Sequence, residues 1–180
     1  GMRLAKGDEV ISLSILHKIG IRDSDEREDY LRHAPWKGDD PERTPRVMDD
    51  ERYAHLSEKE QFILTICANG YGKLSSAYEY RRTGRGGQGI TNIDNIARNG
   101  PVVGSFPATK AQQLMLVTDQ AKMIRIPLAD LRVIGRGSAG VRLFNVANDE
   151  HVVSAARIEE SEEDAEAVVD VDLETPEAEA

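Results

Sequence analysis

The chain has 180 residues, 39% of them apolar and 31% charged, with a formal net charge of −9, which is room for one ordinary domain or a few repeat units. Its single cysteine, Cys67, forms no intramolecular disulfide, as suits a reducing compartment. No stretch approaches the ~20 apolar residues of a membrane span and no basic-then-apolar leader opens the chain, so no membrane partner and a cytoplasmic location are expected.

The charge is unevenly divided. Residues 1–60 carry 11 Lys and Arg against 15 Asp and Glu, and residues 61–158 carry 12 against 6. Residues 159–180 carry no basic residue and 11 acidic ones. A basic body beside an acidic tail points to an anionic partner, with the tail as a competitor for the same surface; the tail itself has the composition of a disordered segment.

Along the chain, Gly7-Asp8-Glu9-Val10-Ile11-Ser12 resembles Asn148-Asp149-Glu150-His151-Val152-Val153-Ser154 with one residue deleted. Residues 1–16 therefore read as the end of an upstream repeat. Residues 17–57 read as a polar insertion with Pro35, Pro41 and Pro45 marking a loop, and with short helices over 24–32 and 48–59. Tyr30 and Trp36 are its candidates for packing onto the body or for a protein contact.

From residue 58 the chain repeats, as units 58–110 and 111–158. Gly84-Arg85-Gly86-Gly87-Gln88-Gly89 is echoed by Gly135-Arg136-Gly137-Ser138-Ala139-Gly140, 51 positions on. Strand-like apolar runs precede each loop (62–66 and 114–117), and Val-Val pairs follow at Val102-Val103 and Val152-Val153. Further strands are expected over 71–75, 89–93, 102–106, 123–126, 141–146 and 152–157. Asn69-Gly70 signals a two-residue hairpin turn with positive φ at both positions, whereas Asp119-Gln120-Ala121 lacks glycine and implies a longer or different turn. A period near 50 marks a propeller-like or solenoid array whose units bury their faces on each other.

These residues carry a resemblance. Phe62-Ile63-Leu64-Thr65, Asn69-Gly70-Tyr71-Gly72-Lys73, Thr83-Gly84-Arg85-Gly86-Gly87-Gln88-Gly89, Leu114-Met115-Leu116-Val117-Thr118-Asp119 and Val152-Val153-Ser154 resemble the C-terminal domain of the DNA gyrase A subunit. The resemblance implies an all-β fold, a β-pinwheel of four-stranded antiparallel blades around which duplex DNA wraps to support ATP-dependent negative supercoiling. It implies about two blades here plus the end of an upstream one, hence a piece of a larger protein. The family's box Gln-Arg-Arg-Gly-Gly-Lys-Gly is not in this chain, whose nearest match, Arg85-Gly86-Gly87-Gln88-Gly89, has Gln88 where the box has lysine. No match is found to the region of the catalytic tyrosine. The resemblance thus implies no cleavage chemistry and no cofactor in this piece, with ATP and Mg2+ used through the partner B subunit. The topoisomerase IV A subunit is the related alternative. A propeller-like protein-interaction module without DNA binding is the alternative of another class.

DNA wrapping needs cations spread along a path, since binding is driven largely by counterion release. The candidates are Lys73, Arg81, Arg82 and Arg85 in the first repeat and Arg125, Arg132 and Arg136 in the second, taken as matched pairs Lys73/Arg125, Arg81/Arg132 and Arg85/Arg136. Gly84, Gly86, Gly87, Gly89, Gly135 and Gly140 would turn the loops and let backbone N–H groups approach phosphate. Expected partners are duplex DNA, the rest of the gyrase A subunit, the gyrase B subunit, and a second copy through exposed strand edges. A nucleotide-phosphate loop is disfavoured, since no Gly-Lys-Ser/Thr follows the glycines. His17, His33, His55, His151 and Cys67 lack ligand spacing, so no metal is expected.

Overall fold

The computed structural model describes residues 3–18, 20–94 and 96–159. The acidic tail beyond residue 159 lies outside the described residues. Each repeat begins with a hairpin: β1 (Phe62–Cys67) with β2 (Tyr71–Ser76), and β4 (Gln113–Thr118) with β5 (Met123–Pro127). Each hairpin then gains a third antiparallel strand from its own repeat, β3 (Val102–Ala108) beside β1 and β7 (Val152–Ile158) beside β4. The fold is all-β in its repeats, as expected. A bulge sits at the same place in both copies, between Ile66 and Cys67 and between Val117 and Thr118.

The first sheet has a fourth strand, and it is borrowed. β6 (Val141–Arg142) belongs to the second repeat yet pairs with β2 in the first, giving the order β3-β1-β2-β6. The second sheet has the order β5-β4-β7, so β5 is an edge. The expected strand over 141–146 is cut to these two residues. The expected strand over 89–93 does not form. Instead Asn92 Nδ2 donates to Thr65 Oγ1 at 2.8 Å and Ser105 Oγ at 3.2 Å, and the Tyr80 hydroxyl donates to Asn92 Oδ1. A side-chain network thus pins this segment where a ladder was expected.

The sheets stack on one core. Leu64, Ile66 and Leu74 of the first sheet meet Leu114 and Leu116 of the second, with Leu128, Val133 and Val152 closing the cluster. Because residues one apart on a strand face opposite ways, Leu64 and Leu114 occupy opposite faces of equivalent strands. The units therefore pack face to back, an arrangement that extends by repetition.

Both hairpin turns are three residues long. Gly70 (φ +79°) and Ala121 (φ +59°) each take the left-handed position that closes a type I turn into a bulge. Asn69 has no positive φ, which corrects the two-residue turn expected there, and Asp119-Gln120-Ala121 makes the same turn without glycine.

Residues 3–18 form no regular strand; Ser12 Oγ donates to the Ser105 carbonyl at 3.0 Å, while Leu13 and Ile15 are each 92% exposed. The insertion holds α1 (Ser24–His33) and α2 (Asp50–Glu58), close to the expected helices. Asp23 and Asp49 cap them by accepting from the N–H groups of Glu26 and Arg52 at 2.8 and 2.7 Å. Tyr30, Ala34, Leu56 and Tyr78 form a second cluster that docks the insertion on the first repeat. Glu60 fastens it: its carboxylate accepts from the Tyr30 hydroxyl (2.9 Å), Trp36 Nε1 (3.0 Å) and Ser76 Oγ (2.6 Å). Tyr30 and Trp36 therefore pack the insertion onto the body.

Two substitutions test the turn geometry by chemical denaturation. Ala121→Gly is expected to stabilise by up to about 1 kcal/mol, because relief of a left-handed residue (roughly 1–2 kcal/mol) exceeds the added chain entropy (roughly 0.5–1 kcal/mol). Gly140→Ala is expected to destabilise by more than ~2 kcal/mol, since at φ +79° its Cβ would lie 2.6 Å from the Gly72 carbonyl oxygen. Equal behaviour of both would contradict the assigned turns.

Candidate nucleic-acid interface

The seam between the repeats is built around a lysine. Lys73 is 1% exposed, and its Nζ donates to the carbonyls of Gly135 (3.1 Å), Arg136 and Ser138 (3.2 Å). Burial pushes its pKa down to about 8 from an ordinary 10.5, with the nearby Glu79 carboxylate acting in the opposite direction. The second glycine loop thus wraps the ammonium group in backbone oxygen. Buried and with its hydrogens given to backbone carbonyls, Lys73 is not presented to a phosphate, which corrects its assignment to the interface.

Its pairing with Arg125 is corrected too. Thr65 faces Lys73 in the first hairpin and Leu116 faces Ile124 in the second, so Ile124 is the structural counterpart of Lys73. Arg125 corresponds to Leu74 and projects from the other face, and a one-residue slip is all that separates the two readings. Arg125 is exposed, and its Nε donates to the Gln113 side chain.

The other loop contacts radiate from this seam. The backbone N–H of Arg136 donates to Glu79 Oε2 at 2.5 Å and its guanidinium to the Thr91 carbonyl. Ile134 N–H donates to Leu74 O at 2.9 Å, and Ser138 O accepts from Asp94 N–H at 3.1 Å. The loop over 132–140 is therefore held directly against residues 79 and 91–94, which flank the first glycine loop. Arg136 is committed to this contact. Arg81, Arg82, Arg85 and Arg132 are exposed and have no hydrogen bond or ion pair among the described residues.

Of the six glycines singled out, Gly86, Gly89 and Gly140 have positive φ, whereas Gly84, Gly87 and Gly135 do not. Gly140 is required for a second reason: it lets β6 approach Gly72 in β2. This places Gly140 in the seam between the repeats.

Two further cations escape the sequence reading. Arg98 and Arg142 lie over the Tyr71 ring at 4.8 and 5.2 Å from its centre, and Arg142 Nη2 donates to the Tyr71 hydroxyl at 2.7 Å. Neither sits at a repeat-matched arginine position, so the 51-residue echo is silent about them. Elsewhere Lys122 is neutralised by the buried Glu150 at 2.7 Å. Hydrogen bonds from Lys122 and Thr118 hold the Glu150 carboxyl down to about 2. Among the described residues no group of three His, Cys, Asp or Glu could hold a metal ion.

Comparison with known proteins agrees with this architecture. The sequence model of the DNA gyrase C-terminal domain, a β-propeller, matches residues 61–109 and 112–159. The DNA gyrase A protein of Granulibacter bethesdensis is 43% identical over 182 residues, covering 90% of this chain. That of Rickettsia prowazekii is 41% identical over 176 residues, covering 93%. The chain spans 19% of the length of each of these relatives. Among solved structures, a DNA gyrase A C-terminal domain matches 56% of this chain and 34% of its own, with a TM-score of 0.50 at 22% identity. The C-terminal domain of a DNA topoisomerase IV matches 60% of this chain and 34% of its own, with a TM-score of 0.51 at 20% identity. At those identities the structural likeness speaks to the fold alone.

Lys73→Met should lower stability by about 1–3 kcal/mol by leaving carbonyls without their donor. Since burial lowers the folded pKa of Lys73 to about 8, the unfolded chain holds its proton more tightly and wild-type stability should rise, relative to the variant, between pH 8 and ~10.5. Denaturation at pH 7.5 and 10 checks this; a gap that stays constant or narrows would contradict the buried ammonium.

Proposed function

Because the chain belongs to the DNA gyrase C-terminal domain family, we propose that it is part of the DNA-wrapping portion of a gyrase A subunit. It binds duplex DNA without sequence preference, in the cytoplasm, and supports the ATP-dependent negative supercoiling of the complete enzyme. Strand cleavage belongs to the rest of the A subunit, ATP use to the B subunit, both outside this chain. Among the described residues no helix is long and apolar enough to cross a membrane.

The observation that carries the proposal is the pair of glycine loops from successive repeats, joined at one seam and bearing Arg81, Arg82, Arg85 and Arg132 without internal partners among the described residues. Unpaired guanidinium groups on adjoining loops suit a phosphate backbone, which positions a duplex without specifying its sequence. Bending a short duplex costs on the order of several kcal/mol, so contacts of this kind must recur from unit to unit. The face-to-back stacking of the sheets supplies that recurrence.

The test is binding to two duplexes of unrelated sequence over a range of salt. Affinities should be equal for both and fall steeply with salt. Arg81→Gln, Arg85→Gln and Arg132→Gln together should reduce the slope of log K against log salt by about 2.7, at roughly 0.9 per lost phosphate contact. Absence of salt-dependent binding would overturn the proposal in favour of a protein-interaction module. Removal of residues 160–180, ten of them acidic, should strengthen binding, and unchanged affinity would count against competition by the tail.

A further inference from the structure

The insertion and the first repeat enclose a groove of about 670 Å³ whose walls come from both. Residues 16–18, 20–21, 23 and 27 form one wall, and Gln61, Ala77, Tyr78 and residues 80–82 the other. Lys18 and Arg27 line it from the insertion, Arg81 and Arg82 from the repeat. None of these four cations has a hydrogen bond or ion pair from its side chain among the described residues. The one carboxylate in the lining, Asp23, is already engaged in capping α1 through the Glu26 N–H.

Elsewhere in the insertion several cations are paired internally. The other arginines of the same insertion include three neutralised locally: Arg22 and Arg52 by Glu26, at 3.7 and 2.7 Å, and Arg46 by Asp50. Four cations that converge on one groove without internal partners among the described residues are available to an external anion. Like charges this close repel one another, and a polyanion would relieve that repulsion. Arg81 and Arg82 run directly into the glycine loop that begins at Thr83, so the groove continues the surface described above.

We propose that this groove holds a stretch of duplex DNA backbone, with Lys18 and Arg27 as phosphate contacts supplied by the insertion. The insertion then extends the DNA path off the sheet edge rather than serving as a spacer. This rests on the DNA-wrapping reading but is separable from it.

The experiment compares the full chain with Lys18→Gln/Arg27→Gln and with Lys37→Gln/Lys59→Gln, which removes the same charge outside the groove. Binding of a fluorescent duplex is measured over a range of salt, with thermal unfolding recorded for each. The groove variant should reduce the slope of log K against log salt by about 1.8, with unfolding unchanged, while the matched variant leaves the slope near wild type. An unchanged slope in the groove variant overturns the inference and leaves DNA wrapping standing, as does an equal fall in both variants. Failure of the wild-type chain to bind duplex DNA would overturn both.

Discussion

The structure turns on one ammonium group. Lys73 rises from the middle of β2 into the loop of the next repeat, where three carbonyls receive it. A buried lysine is costly unless its hydrogens are matched, and only residues 135–138 of the second repeat match them. The loop must therefore lie where it does, and with it the rest of the seam: Val133 bridges Leu74, Ile134 N–H reaches Leu74 O, and Leu143 N–H reaches Gly70 O. The borrowed strand β6 follows from that placement, and Gly140 gives it room.

Holding one repeat's loop on its neighbour's sheet bears directly on the proposed function. An arginine on an isolated loop is a mobile charge, and ordering it against a phosphate costs side-chain entropy. Here Arg136 is spent as a strut between the two glycine loops, and Arg81, Arg82, Arg85 and Arg132 stand on the loops so joined. The insertion follows the same logic through Glu60, which takes donors from Tyr30, Trp36 and Ser76 and fixes the helices against the first repeat. Two elements of different origin thereby present charge on a single support.

Much of this is legible in the chain. The apolar run of β1 does not alternate because that strand is buried on both faces, and the equally continuous run of β4 locates it although only alternate residues are fully buried. Asp23 and Asp49 mark the helix starts through their capping chemistry. What escapes is set by tertiary context. The strand expected over 141–146 survives as β6 because β2 lies beside it, whereas the segment expected as a strand over 89–93 pairs with no described strand. Lys73 and Arg125 match by residue type, although they are 52 positions apart while the true pairs are 51 apart. That single step exchanges a buried strut for an exposed side chain. Arg98 and Arg142 are invisible in the sequence because they meet only where the Tyr71 ring brings two segments distant in the chain together.

If the lysine-centred seam unites the repeats, the backbone amides it engages must be as hard to open as the sheet itself. Native-state hydrogen exchange of the Ile134 and Leu143 amides, compared with those of Leu64 and Ile66 in β1, measures this directly. The account predicts that all four exchange through the same global unfolding, with equal dependence on denaturant. Exchange of Ile134 and Leu143 through a local opening far below the stability of β1 would contradict it, because the two loops would then move independently and offer no common surface.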